Sequence, residues 1–239
     1  DSYRLVGPRP AKKHPAPSQL NWDLWLGTAP TRAYAPEIYH PSKWRAWQDF
    51  GTGWSGDIGC HVFDATWKAL DLTAPKTVHA TVQESWKNSK ERRGDTWPQS
   101  DHITWTFPGN PLTNKNELTI EWFDGRIYPP EAAQKWYPGK TYPPESALIV
   151  GTEGAILIPN GGGAMLLPRD KYKGTPQPEL DTRNHYHHFL DAILGKTKNE
   201  SYFEQTGPMT EAILLGTVAI RTPDQKLSWD ASNLSITNH

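Results

Sequence analysis

Apolar positions along the chain change period several times. Over residues 56–71, Ile58, Val62, Phe63, Ala65 and Leu70 recur at loosely helical spacing, with Gly53 and Ser55 before them and Pro75 beyond as a stop. The pattern then switches to strict alternation. Val78, Ala80 and Val82 alternate in "TVHATVQESW" (77–86), Ile103, Trp105 and Phe107 in "DHITWTF" (101–107), and Leu118, Ile120 and Trp122 in "ELTIEWF" (117–123). A period of two with one polar face predicts an antiparallel sheet covered on one side. The segment "ALIVGTEGAILIPNGGGAMLLP" (147–168) predicts three short strands joined by glycine turns. Two helices follow. Thr182 is placed to cap the first, whose Tyr186, Phe189, Leu190, Ile193 and Leu194 share one face that is expected to be buried, with Gly195 after its end. Thr206 is placed to cap the second, with Pro208 in its first turn, and "KLSWD" closes the set as a strand. One helix, a run of strands and two helices predict an α+β fold: an open, mostly antiparallel β-sheet with helices packed on one face.

The remaining stretches lack a clean period. Residues 1–20, with four prolines, read as an extended arm or interdomain linker, and residues 21–239 as one domain. Residues 21–53 and 124–146 read as aromatic, proline-punctuated loops, and 87–100 as a polar excursion. Neither "GTEG" nor "NGGG" has the strand–GxGxxG–helix or GxxxxGK[ST] context of a phosphate-binding loop, and the βαβ alternation of a dinucleotide-binding domain is absent.

Composition narrows the function. Twenty-five basic and 26 acidic residues give a net charge of −1, which offers no excess for nucleic acid or an anionic membrane. No apolar run approaches the roughly 18–20 residues of a membrane-spanning helix. The first residues carry no secretory apolar region and no Met, so the chain reads as a processed protein or a piece of a longer one, with no compartment assigned. A single cysteine excludes an intrachain disulfide and a multi-cysteine zinc site. Twelve Trp and nine Tyr are the unusual feature. Most indoles serve as core, but a flat apolar face with one N–H donor also suits the C–H side of a sugar ring.

The densest chemistry is "SGDIGCHVFD", residues 55–64. On a helix, Asp57, His61 and Asp64 stand at i, i+4 and i+7, within roughly 60° at about 100° per residue. Asp57 is expected in the first turn, where the helix dipole favours a carboxylate. Three readings of this spacing stay open. Asp57 caps the helix and His61 bonds in the core. Or one carboxylate and one imidazole begin a metal site whose further ligands are unidentified, H-E-x-x-H being absent. Or the stripe is a metal-free acid/base site, since a neutral imidazole held by a carboxylate is a competent general base near pH 7. Just upstream, Tyr39, His40, Trp44, Arg45 and Trp47 supply donors and stacking faces for a hydroxyl-rich substrate.

"LNWDLWLGTAP", "YHPSKWRAWQDFGTGWSGDIGCHVFD" and the last two helices with "LSWD" resemble the C-terminal domain of the Gfo/Idh/MocA family of NAD(P)-dependent sugar and polyol oxidoreductases. The resemblance runs from Leu20 and is weakest over about 87–145. It implies an α+β domain that normally partners an N-terminal Rossmann domain, with substrate between the two. The family's D-x-x-x-H falls on Asp57 and His61, which implies a proton-accepting His61 and a substrate-binding Asp57. Asp64 would then hold the far imidazole nitrogen; His185 is a further substrate-side candidate from its own position, in the first turn of the penultimate helix near the loops. NAD or NADP is implied for the full-length parent and none for this chain alone, because the glycine fingerprint and the family's E-K-P lysine motif are missing. A sugar or polyol substrate, the missing Rossmann domain and a homo-oligomer through the sheet face are the implied partners. That oligomer follows if Trp105, Trp122, Ile103 and Ile120 leave one sheet face apolar. A stand-alone carbohydrate-binding module, and an NAD-dependent sugar lyase or glycosidase on the same scaffold, are the alternatives.

Overall fold

The structure, a computed structural model, describes residues 9, 12–39, 42–139, 141–176, 178–180 and 182–239. Helix α1 (Trp22–Leu26) and a 3-10 turn (Lys43–Ala46) lead into the long helix α2 (Gly53–Ala69). Strand β1 (Thr77–Val82), helices α3 (Glu84–Lys87) and α4 (Lys90–Asp95), and strands β2 (Asp101–Pro108) and β3 (Glu117–Phe123) follow. Then come α5 (Glu131–Gln134), β4 (Ser146–Val150), β5 (Ala155–Pro159) and β6 (Met165–Leu167). Helices α6 (His185–Ile193) and α7 (Phe203–Arg221) and strands β7 (Leu227–Asp230) and β8 (Ser235–Ile236) end the chain. The strands form two antiparallel sheets, one of five strands in the order β3-β2-β1-β7-β8 and one of three in the order β4-β5-β6.

Alternation decides which side of the large sheet is covered. Val78, Ala80, Ile103, Trp105 and Phe107 are buried, and Leu118, Ile120 and Trp122 of β3 pack against the same core. All of them face the layer made by α2 and α7, where Met209, Ala212, Ile213, Leu215, Ala219 and Ile220 meet them. The other face carries Thr77, His79, Thr81, His102, Thr104, Thr106, Thr119 and Glu121, in register across β1, β2 and β3. The expectation of an apolar free face built from Trp105, Trp122, Ile103 and Ile120 is therefore corrected: a period of two puts all four on the helix side. Among the described residues the uncovered face is threonine-rich and polar apart from Phe123, whose ring stacks on His102 at 4.4 Å.

Glycines set how close the layers come. A methyl group on Gly216 of α7 would sit 2.7 Å from Trp105 Cζ2, and one on Gly59 of α2 would sit 3.1 Å from Ile213 Cγ2. With hydrogen at these positions α7 lies directly on the sheet and α2 directly on α7. The Trp105 indole donates to the Ala212 carbonyl at 2.8 Å and fixes that contact. The small sheet lies beside α2 through β4 and β5.

Several boundaries differ from the sequence pattern. Helix α2 starts at Gly53, so Asp57 is in its second turn rather than its first. β1 ends at Val82, and Trp86 lies in α3 as a fully buried anchor. Asn184, not Thr182, caps α6, accepting from the His187 N–H at 3.0 Å. Helix α7 starts at Phe203, which leaves Thr206 and Pro208 inside it. The apolar face of α6 is uncovered rather than buried: Tyr186, Phe189, Leu190, Ile193 and Leu194 are 54–76% exposed. An amphipathic period states that a face is apolar, and another element must be present to bury it. Arg9 and His14 of the N-terminal segment are tied to the body, Arg9 by ion pairs to Asp49 and Asp95 and His14 by a bridge to Tyr34.

One buried acid gives a stability signature. Asp101 opens β2 on the covered face at 3% exposure, and its Oδ1 lacks a hydrogen-bond partner among the described residues. Desolvation first, and the charge of Asp124 second, hold its carboxyl well above the usual carboxylate range. The folded state therefore keeps a proton that the unfolded chain releases. This stabilisation is complete below the ordinary value of 3.8 and is lost as pH rises through the raised folded value. Asp101→Asn, which is neutral at every pH, is expected to raise the melting temperature by several degrees at pH 8 and to leave it nearly unchanged at pH 4. Parallel melting curves for the two proteins across that range measure this difference, and curves that stay together from pH 4 to pH 8 would contradict the raised value of Asp101 in the fold.

Candidate active site

Two glycines and a tryptophan build the entry into α2. Gly51 packs on the backbone of Arg45: a methyl group there would meet Arg45 O at 2.6 Å and its Cα at 2.7 Å. Gly53 holds φ +72° against the Trp97 ring, a conformation that costs an L-residue about 1–2 kcal/mol. The Trp97 indole donates to the Gly51 carbonyl at 2.7 Å, and its backbone N–H to Ala46 O at 2.9 Å. This clamp carries Arg45 to α2, where Arg45 Nε donates to Asp57 Oδ2 at 3.2 Å. Gly51→Ala is expected to push the Arg45 backbone off this position and to cost about 1–3 kcal/mol of stability. Urea denaturation measures that cost, and a crystal structure of the variant should show Arg45 displaced from Asp57.

Helix α2 runs unbroken through Asp57, His61 and Asp64 and so places them on one stripe. Asp57 is half-buried and His61 is exposed, and the helix N-cap is Thr52. The reading in which Asp57 caps the helix and His61 bonds in the core is therefore not what the fold shows. Among the described residues His61 has no hydrogen-bond partner, so its ring nitrogens face solvent. Asp64 does not serve His61: Gln205 Nε2 donates to its Oδ1 at 3.0 Å, and Lys68 Nζ pairs with its Oδ2 at 3.3 Å. Asp64 instead ties α2 to the first turns of α7. Among the described residues there is no group of three or more His, Cys, Asp or Glu side chains placed to hold a metal ion.

The other anticipated residues separate. Tyr39 and Trp47, each 2% exposed, form a small aromatic core with Trp22, Trp25, Ile38 and Phe50, and they have no free face for a ligand. Burial pushes the Tyr39 phenol up from its ordinary value. Trp44 stays half-buried with the Arg45 guanidinium 4.5 Å from its ring centroid. His40 lies outside the described residues. His185 begins α6, exposed, with its ring edge-to-face against Tyr186 at 5.5 Å, and is not brought to the α2 stripe. Sequence reasoning missed Gln205 and Lys68, which hold Asp64, and Trp25 and Phe50. With Trp44 these two line a cleft of about 230 Å³ beside Arg45. A second depression, about 650 Å³, is lined by Lys87, Lys90, Arg93 and Arg221. Its cations are largely committed: Lys87 to Asp224 and Glu84, Arg93 to the Arg221 carbonyl, and Arg221 to Gln48.

The described residues do not form the usual cradle of a dinucleotide. Its cradle is a parallel strand–glycine loop–helix unit, whereas both sheets here are antiparallel, and Gly151, Gly154 and Gly161–Gly163 lie in the β4–β5 and β5–β6 turns. Among the described residues no helix is long and apolar enough to cross a membrane.

Antiparallel strands with α2 and α7 packed on one face of the larger sheet define an α+β domain. The family model described as the oxidoreductase family, C-terminal alpha/beta domain, of Gfo/Idh/MocA proteins matches residues 2–131, and the chain belongs to that family. The match takes in α2 and the large sheet through β3; α6 and α7 lie outside it. No curated protein matches the chain.

Proposed function

We propose that this chain is the substrate-binding and proton-accepting half of an NAD(P)-dependent sugar or polyol oxidoreductase, completed by a separate dinucleotide-binding domain. The observation that carries this reading is the exposed His61 imidazole one helical turn from an Asp57 carboxylate held by Arg45, in a chain of this family. His61 takes the proton of the reacting hydroxyl. The carbinol hydrogen leaves as hydride to an acceptor outside this chain, which leaves a carbonyl. Asp57 and Arg45 together offer acceptors and donors to neighbouring hydroxyls and orient the ring or polyol chain. Asp64 acts at a distance by fixing α2 on α7.

The uncovered face of α6 supports a partner domain, because exposed apolar patches of this kind mark interaction surfaces. The experiment is a screen of sugars and polyols against the full-length protein with NAD or NADP, following the absorbance of reduced nicotinamide. Turnover by the full-length protein is expected, together with neither turnover nor nicotinamide binding by the chain of residues 1–239. Micromolar nicotinamide binding to this chain alone would contradict the division of labour.

A further inference from the structure

We infer that the cleft lined by Trp25, Trp44 and Phe50 is a subsite for a pyranose ring adjacent to the one that reacts, so that the substrate is a glycoside of two or more rings. The inference rests on the sugar reading of the α2 stripe and narrows it.

The aromatic cluster of the N-terminal region divides into two parts. Tyr39 and Trp47 are fully packed, and Trp22 stacks on Trp25 at 4.8 Å. Trp25, Trp44 and Phe50 stay only half-buried around a cleft of about 230 Å³. Phe50 and Trp25 meet at 4.9 Å with a 60° tilt, which makes a corner rather than a closed stack. Trp22 covers one face of Trp25 and Arg32 lies over Phe50, so the corner leaves the remaining half-exposed surface of these rings and of Trp44 to one ligand ring.

Charged planar groups flank it. Arg32 lies over Phe50 at 4.9 Å and is ion-paired to Asp49. Arg45 lies over Trp44 at 4.5 Å and is ion-paired to Asp57. Arg32 is committed to the Pro30 carbonyl and Asp49 and closes the Phe50 side, whereas the partly exposed Arg45–Asp57 pair sets donors beside acceptors, which matches vicinal hydroxyls. An apolar wall with polar groups at its rim suits a pyranose, which has a C–H face and a hydroxyl edge. An open-chain polyol has no flat face to stack, and a purely apolar ligand would leave the rim without partners.

Position sets the order of the rings. The cleft is joined to the α2 stripe through Arg45, which touches Trp44 on one side and Asp57 on the other. His61 stands a helical turn beyond Asp57, about 6 Å along the axis. A ring stacked in the cleft reaches Arg45 and Asp57 with its hydroxyls, and the ring linked to it lies at His61.

Calorimetric titration of the chain with glucose, sorbitol and the disaccharides cellobiose, lactose and maltose tests this. At least one disaccharide is expected to bind about tenfold more tightly than glucose, with sorbitol weakest. Trp25→Leu, which keeps apolar volume without an indole face, and Trp44→Ala are each expected to lower that affinity about tenfold, to the level of glucose. Circular dichroism checks that both variants stay folded. Disaccharides no tighter than glucose, undiminished binding in both folded variants, or no binding by any of these probes would each overturn the subsite. Binding that is lost in His61→Gln but kept in the Trp variants would remove the subsite and leave the acid–histidine reading intact. Trp-dependent disaccharide binding alongside a fully active His61→Gln enzyme would keep the subsite and remove the role of His61.

Discussion

If His61 is the general base we propose, replacing it with glutamine in a protein that joins this chain to its proposed dinucleotide-binding domain is expected to lower kcat by about 10²–10⁴-fold, while substrate binding changes far less. Glutamine keeps a similar reach and a hydrogen-bonding end but cannot take a proton. His61 is solvent-facing and has no hydrogen-bond partner among the described residues, so its loss should leave the melting temperature within about 1 °C of the parent. Asp57→Asn is expected to raise KM as well as lower kcat, because it weakens the charge-assisted pair with Arg45 that we propose orients the substrate. Asp64→Asn should act on stability first, through Gln205 and Lys68. The contrast between a purely kinetic His61 effect and a structural Asp64 effect is what the geometry adds to the sequence spacing. A folded His61→Gln enzyme with near-parental turnover would end the assignment.

The second large effect is structural. Trp86→Ala is expected to destabilise the chain by about 3–5 kcal/mol, a large part of the stability of a domain of this size. Trp86 is fully buried, and its indole donates to the Thr96 carbonyl at 2.9 Å. The same carbonyl accepts from Gln48 Nε2 at 2.8 Å, and Thr96 bridges to Trp47. Through this node the large-sheet core is coupled to the aromatic cluster and to the segment that carries Arg45. Trp86→Phe keeps most of the volume and loses one hydrogen bond, so about 1–2 kcal/mol is expected. Urea denaturation should show the midpoint falling at an unchanged slope. A cost below about 1 kcal/mol for Trp86→Ala would show that the two cores are not coupled through this side chain.

The coupling through Trp86 was not legible in the sequence, where residues 77–86 read as one strand. Alternation sees Val78, Ala80 and Val82, but the chain turns at Gln83 and a tryptophan follows on a short helix. What alternation and period did show was local: the strands β1, β2 and β3, the three short strands β4, β5 and β6, and the continuity of α2 through Asp57, His61 and Asp64. What they could not show was distant pairing. Strand β7 pairs with β1 from the far end of the chain, and Gln205 reaches Asp64 across 141 positions. The sheet face was misjudged for the same reason. Alternation separates Trp105 and Ile120 from Thr104 and Thr119, but it does not say that two helices suffice to cover the apolar side. For α6 the error ran the other way, because its apolar stripe was real and its covering element was only assumed. The family resemblance, by contrast, rested on contiguous blocks around α2 and on the last two helices, and the family match agrees with it over the first and does not extend to the second.

A crystal structure of the full-length protein with a bound sugar substrate or product tests the functional reading most directly. One hydroxyl oxygen of the sugar should lie within about 2.6–3.2 Å of a His61 ring nitrogen, with neighbouring hydroxyls on Asp57 and Arg45. A sugar bound elsewhere, with His61 still open to solvent, would contradict it.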